Sequence, residues 1–236
     1  MNDSIVKPRR RIAAAWLAAA GLLSAAPGAY AGDAALGKTL ATQGSAAGVA
    51  ACIGCHGAHG EGNAAAGFPR LAGIPAAYLS AQLAAFADGN RQNPIMQPLA
   101  KLLSAPERDA VSAYFAALPA PPGTASGDNA PAGPSDTGAW LATRGRWTDG
   151  LPACAQCHGP GGIGVGTAFP PLAGQPAAYL AGQLHAWQHG TRPPGPMALM
   201  PHIAGKLSDA DIDAVAAYYA RTGTTPAVAA TQRSTP

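Results

Sequence analysis

Charge is scarce in this chain, at 11% of its 236 residues, and it favours neither sign once the ends are separated. The formal +3 comes wholly from the first 31 residues, where Lys7, Arg9, Arg10 and Arg11 stand against Asp3; the rest carries 11 basic and 11 acidic side chains. That balance argues against a nucleic-acid footprint, as does the lack of any basic stripe interleaved with aromatics. No uninterrupted run reaches the about 20 apolar residues needed to cross a bilayer. The longest, IAAAWLAAAGLLSAAPGAYA at 12–31, is broken by Gly21 and Pro27. Behind Arg9 to Arg11 and ending in Ala29-Tyr30-Ala31, it reads as a cleaved secretion signal over 1–31, which implies the periplasm. Convincing strand alternation is absent, and there are only four cysteines.

What the chain does have is an internal repeat. FPRLAGIPAAYLSAQLAAFADGNR, from Phe68, lies over FPPLAGQPAAYLAGQLHAWQHGTR, from Phe169, and LSAPERDAVSAYFA lies over LSDADIDAVAAYYA. Between the copies runs a Pro, Gly, Ala and Ser stretch that cannot bury a core. The expected organisation is a first domain over 32–118, a linker over 119–135, a second domain over 136–223 and a disordered tail over 224–236. Each domain reads as all-α. Asp33 and either Asp136 or Thr137 are candidate caps for a first helix, Pro75 and Pro176 open a second, and Ser104 with Glu107 and Ser208 with Asp211 form capping-box starts for the last. Val111, Tyr114, Phe115 and Leu118, and Ile212, Val215 and Tyr219, fall on one face of these last helices. A unit this small, rich in loops and poor in large apolar side chains, gains only about 3 to 5 kcal/mol from its own core. Something else must fill it.

The cysteines supply that missing part. They form CIGCH at Cys52, Cys55 and His56 and CAQCH at Cys154, Cys157 and His158, in register within the repeat and with none left over. Disulfides are permitted in an exported chain, a thioredoxin-type motif would want strands, and zinc would lack a fourth ligand. Cys-x-x-Cys-His is the c-type haem attachment pattern, in which two thioethers fix the porphyrin and the histidine reaches the iron. Two covalent haem c groups are therefore expected, with His56 and His158 as proximal ligands. Pro69 and Pro170 are candidates to accept a hydrogen bond from the far nitrogen of each ring.

On the distal side Met96 is the one methionine of the first repeat beyond the leader, while Met197 and Met200 compete in the second. MQPLAKLLS aligns with MPHIAGKLS, which selects Met96 and Met200, each with a serine eight residues on. His59, His185, His189 and His202 do not recur between the copies and read as surface residues. Thioether ligation closes the iron to oxygen and peroxide, so the ordinary task of such a site is to take and release one electron.

CIGCHG and CAQCHG, FPxLAGxPAAYLxxQL, the G-x-R before each ligand loop and M-x7-S resemble the cytochrome c4 family, diheme class I cytochromes of the bacterial periplasm, over nearly all of the chain between Asp33 and Arg221. The resemblance implies two cytochrome c folds related by pseudo-twofold symmetry, with haem propionates approaching one another. It implies electron transfer from a quinol-oxidising complex or a periplasmic dehydrogenase to a terminal oxidase of the haem-copper type, with peripheral membrane association in some members. It also places Tyr78, Gln82, Tyr179 and Gln183 on the helix near the domain interface. Arg91 and Arg192 either pair with propionates or sit solvated. The functional expectation is an electron carrier and no enzyme. The alternatives are a diheme peroxidase, a thiosulfate dehydrogenase, and a cytochrome subunit dedicated to one dehydrogenase.

Overall fold

A computed structural model describes residues 34–120 and 135–223. The proposed signal, the Asp33 cap, nearly all of the linker and the tail lie outside the described residues. Repeat 1 comprises α1 (Ala34–Gln43), α2 (Ile53–His56), α3 (Ala76–Ala87), α4 (Met96–Lys101) and α5 (Ala105–Ala117). Repeat 2 follows with α6 (Thr137–Thr143), α7 (Ala155–His158), α8 (Ala177–Gln188), α9 (Leu199–Ala204) and α10 (Asp209–Arg221), joined by loops with short 3₁₀ turns. Among the described residues β pairing is limited to isolated bridges such as Asn63 with Phe68 and Val165 with Phe169.

The first and last helices of each repeat cross in contact, α1 on α5 and α6 on α10. Glycine makes this crossing close. A Cβ on Gly37 would land on the carbonyl of Ala110, and one on Gly138 on that of Ala214. Around each crossing gathers a separate core, Leu40, Val49, Leu103, Val111 and Phe115 in repeat 1 and Leu141, Leu151, Leu180, Ile212, Val215 and Tyr219 in repeat 2.

The helix starts follow from local chemistry. Asp136 caps α6 by accepting from the Ala139 N–H at 3.1 Å. Pro75 and Pro176 sit one residue earlier than a first-turn position, as N-caps of α3 and α8. The Ser104 N–H donates to Glu107 Oε2 at 2.8 Å, and the Ser208 N–H to Asp211 Oδ2 at 3.0 Å.

Asp211 does more than cap, because Arg146 grips both of its oxygens at 2.7 and 3.0 Å. The Arg146 guanidinium, with burial opposing it and Ser208 assisting, holds the Asp211 carboxyl below its usual 3.8. Its contribution is present above pH 3.8 and is lost as the pH falls through the lower folded value. Asp211→Asn is therefore expected to cost about 1–2 kcal/mol in denaturant unfolding at pH 6, and the difference from the parent should shrink toward pH 2.

Candidate functional site

Each CxxCH folds as a single helical turn whose first cysteine is the N-cap, so α2 and α7 end on the histidine. The turn puts His56 and His158 inward, 6% and 7% exposed. Nδ1 of His56 donates to the Pro69 carbonyl at 2.8 Å and Nδ1 of His158 to that of Pro170 at 2.9 Å, with Nδ1 as the protonated nitrogen. This pins each ring and leaves Nε2 as its free lone pair. Burial lowers the pKa of both imidazoles, favouring the neutral form that a metal ligand requires. Burial also pushes the Cys52 and Cys154 thiols up to about 11.

Both histidines face one continuous cavity of about 1070 Å³ that runs through the two repeats. Its walls include all four cysteines, Met96 and Met200, with Leu79, Leu83, Leu180 and Leu184 among the apolar lining. Met200 lines the cavity beside Leu199 of α9, whereas Met197 is 79% exposed. The four cysteines are free of disulfides, and among the described residues no group of three or more His, Cys, Asp and Glu could hold a metal ion. A flat apolar group tied to the cysteines and reaching a neutral imidazole fits this cavity; a zinc ion does not. His59, His189 and His202 are exposed, as expected, and His185 is half-buried, stacked on His189 at 6.2 Å.

The repeats meet across this cavity through polar groups. Arg91 Nη1 donates to Gln82 at 2.8 Å, and its Nη2 crosses to Gln183 at 2.5 Å and the Tyr179 hydroxyl at 3.1 Å. Arg192 mirrors it, donating to Gln183 at 3.0 Å and crossing to the Tyr78 hydroxyl at 2.6 Å. Each guanidinium also lies over an aromatic ring, Arg91 over Phe86 at 4.4 Å and Arg192 over Trp187 at 4.0 Å. At 6% and 7% exposure the arginines are not solvated, which removes that reading of them. Burial lowers the pKa of Arg192, with Tyr78 opposing and Arg91 adding to the fall. Among the described residues neither arginine has a carboxylate partner.

A second, one-sided clasp was not anticipated as a contact. Arg70 is 1% exposed; its Nη1 donates to Ala72 and its Nη2 to the Ala173 carbonyl of repeat 2. The Arg70 N–H donates to Gln175 Oε1 and Gln175 Nε2 returns a bond to the Arg70 carbonyl, both at 3.0 Å. Burial lowers the Arg70 pKa to about 10. The signal in the sequence was the broken repeat: FPRL against FPPL, and AGIP against AGQP. Nothing in those fragments says that the two differences touch.

Comparison with known proteins matches residues 34–119 to the cytochrome c family and residues 144–218 to the family described as cytochrome c oxidase, cbb3-type, subunit III. The chain is 53% identical over 192 residues to a thiosulfate dehydrogenase electron acceptor of Stutzerimonas stutzeri, covering 81% of this chain and 88% of that protein. It is 39% identical over 190 residues to a cytochrome c4 of Pseudomonas aeruginosa, covering 80% and 88%. A solved structure of thiosulfate dehydrogenase (TsdBA) from Marichromatium purpuratum superposes with a TM-score of 0.74 at 45% identity. It covers 83% of this chain, which spans only 41% of that one.

These findings support two covalent haem c groups, on Cys52 and Cys55 and on Cys154 and Cys157, and an electron-transfer role among redox proteins. They correct one expectation. The flat separation of this chain from enzymes does not stand, because relatives carry thiosulfate dehydrogenase in their names and a matching two-repeat unit occurs within a chain so titled. The exclusion rests only on whether each iron is open, and it leaves the tie to a dehydrogenase as an alternative rather than as the main reading.

Proposed function

This chain belongs to the cytochrome c4 family, and on that footing we propose that it accepts single electrons from a thiosulfate-oxidising enzyme in the periplasm and delivers them toward a terminal oxidase. The observation that carries this reading is the 53% identity to a protein named as the electron acceptor of thiosulfate dehydrogenase. The continuous cavity supports it, since both haem attachment sites open into one interior.

When bound, haem iron supplies a one-electron couple whose potential the axial ligands set. The chain supplies the ligands and their surroundings. His56 and His158 would hold the iron through Nε2, and Pro69 and Pro170 fix the ring orientation and the basicity of that nitrogen. Met96 and Met200, which line the same cavity, would hold the iron as soft neutral donors that raise its potential. The apolar walls would keep water from a bound iron, and Arg91 and Arg192 would offer two buried positive charges to the haem carboxylates. Among the described residues no helix is long and apolar enough to cross a membrane.

The test is reduction of the oxidised holoprotein by a purified thiosulfate dehydrogenase with thiosulfate, followed at the haem α-band. Rapid uptake of two electrons per chain is expected. Reduction by a quinol-oxidising complex but not by the thiosulfate enzyme would overturn the assignment of the donor.

A further inference from the structure

The two haem sites are near copies, so a buried group present in one and missing from the other is informative. Tyr219 on α10 is such a group. It is 2% exposed, packs in the core that Cys154 borders, and its hydroxyl has no hydrogen-bond partner of ordinary geometry. Repeat 1 solves the same packing problem with Phe115, also 2% exposed. The two rings hold equivalent places, since a Cβ on Gly60 would meet the Phe115 ring and one on Gly162 the Tyr219 ring. Shape alone therefore does not call for the phenol, and an unmatched buried hydroxyl is costly to keep.

The titratable neighbours that perturb Tyr219 are Cys154 and Tyr218. Burial, then Cys154, pushes its pKa far up, so the phenol keeps its proton. Once Cys154 is joined to the porphyrin, its sulfur has no hydrogen left and is an acceptor only. We propose that the Tyr219 hydroxyl donates to the thioether sulfur of Cys154 and raises the reduction potential of the repeat 2 haem relative to that of repeat 1. A donor on a sulfur bonded to the macrocycle withdraws electron density and favours the reduced iron. The effect biases electrons toward the second haem.

Repeat 1 has no equivalent. The ring at the matching place beside its cysteine, Phe115, carries no hydroxyl to donate. The buried Ser112 hydroxyl of α5 is unmatched too, and the hydrogen bond at the Cys52 sulfur runs to the Leu40 carbonyl instead. The backbone carbonyls facing the two sulfurs, Leu40 at 3.8 Å and Leu141 at 3.7 Å, are alike and do not discriminate. The inference rests on haem attachment at Cys154 and is independent of which enzyme donates the electron.

The experiment is a redox titration of the holoprotein with the occupancy of each haem read from the proton NMR of its methyl groups. Tyr219→Phe is expected to lower the reduced-to-oxidised ratio of the repeat 2 haem about fivefold at fixed potential, a shift of roughly 40 mV by the one-electron constant of 59 mV per decade. The repeat 1 haem should not move. Phe115→Tyr adds the missing donor and should raise the repeat 1 haem, which keeps the idea testable even if Tyr219→Phe folds poorly. Deuterium exchange should shift a carbon–sulfur resonance Raman mode in the parent and not in Tyr219→Phe. An unchanged repeat 2 potential, or equal shifts at both haems, overturns the proposal.

Discussion

Met200→Ala is expected to remove about half of the near-infrared sulfur-to-iron charge-transfer intensity of the oxidised protein and to lower the reduction potential of one haem only. Met96→Ala should remove the other half. Position in the fold agrees with the repeat alignment: Met200 lines the cavity at the start of α9, while Met197, three residues earlier, is 79% exposed. Met197→Ala should accordingly leave the band at full intensity. A half-loss in Met197→Ala with none in Met200→Ala would transfer the ligand role and show that the loop closes differently around bound haem. With Met200 as the proposed ligand, loss of its thioether would remove a soft donor that favours ferrous iron and open a coordination position to water or small ligands. Cyanide or imidazole binding to oxidised Met200→Ala, at about one equivalent per chain, is the independent readout.

Arg192→Ala should cost about 2–5 kcal/mol and loosen the repeats from one another. The substitution leaves the buried Tyr78 hydroxyl without its 2.6 Å donor and removes the stack on Trp187. An unmatched buried polar group costs about 1–3 kcal/mol and a desolvated cation over an aromatic ring about 1–2 kcal/mol. Gln183 is spared in part, because Arg91 also donates to it. Denaturant unfolding of the holoprotein is the measurement, with a single transition in the parent resolving into two in the variant. Arg192→Lys should recover little, since an ammonium cannot span Gln183 and Tyr78 as a planar fork does. If Arg192→Ala unfolded at the parent midpoint, the interface would have to be held by Arg91 with Gln183 and Tyr179 and by the Arg70–Gln175 clasp.

Several parts of the molecule were legible because their causes are local. Ser104 with Glu107 and Ser208 with Asp211 are three residues apart, so their caps form within one turn and depend on nothing distant. The Pro69 and Pro170 carbonyls lie 13 and 12 residues from the histidines they orient, and the repeat showed both at once. Arg91 and Arg192 were visible as a recurring G-x-R, but their burial was not, because exposure is decided by what packs over a residue. The flat expectation of no enzyme failed for a similar reason: partnership is a property of surfaces and neighbouring domains, which ligand counting cannot reach, so the dehydrogenase-linked reading stood only as an alternative.

The sequence by itself determined that this is a twofold repeat of small helical units and that each must hold a haem. Two CxxCH motifs in register, too little apolar mass for a self-sufficient core and the absence of strand alternation leave little else. Only the tertiary structure decided which polar groups share the space between the repeats. Arg91 meets Tyr179 across 88 residues of chain and Arg192 meets Tyr78 across 114. Arg70 finds the carbonyl of Ala173 across 103, and Met200 turns inward where Met197 does not. Periodicity and spacing fix what happens within a few turns of helix, but a buried donor takes whichever acceptor the folded chain brings within about 3 Å, and that choice exists only after the two units have docked.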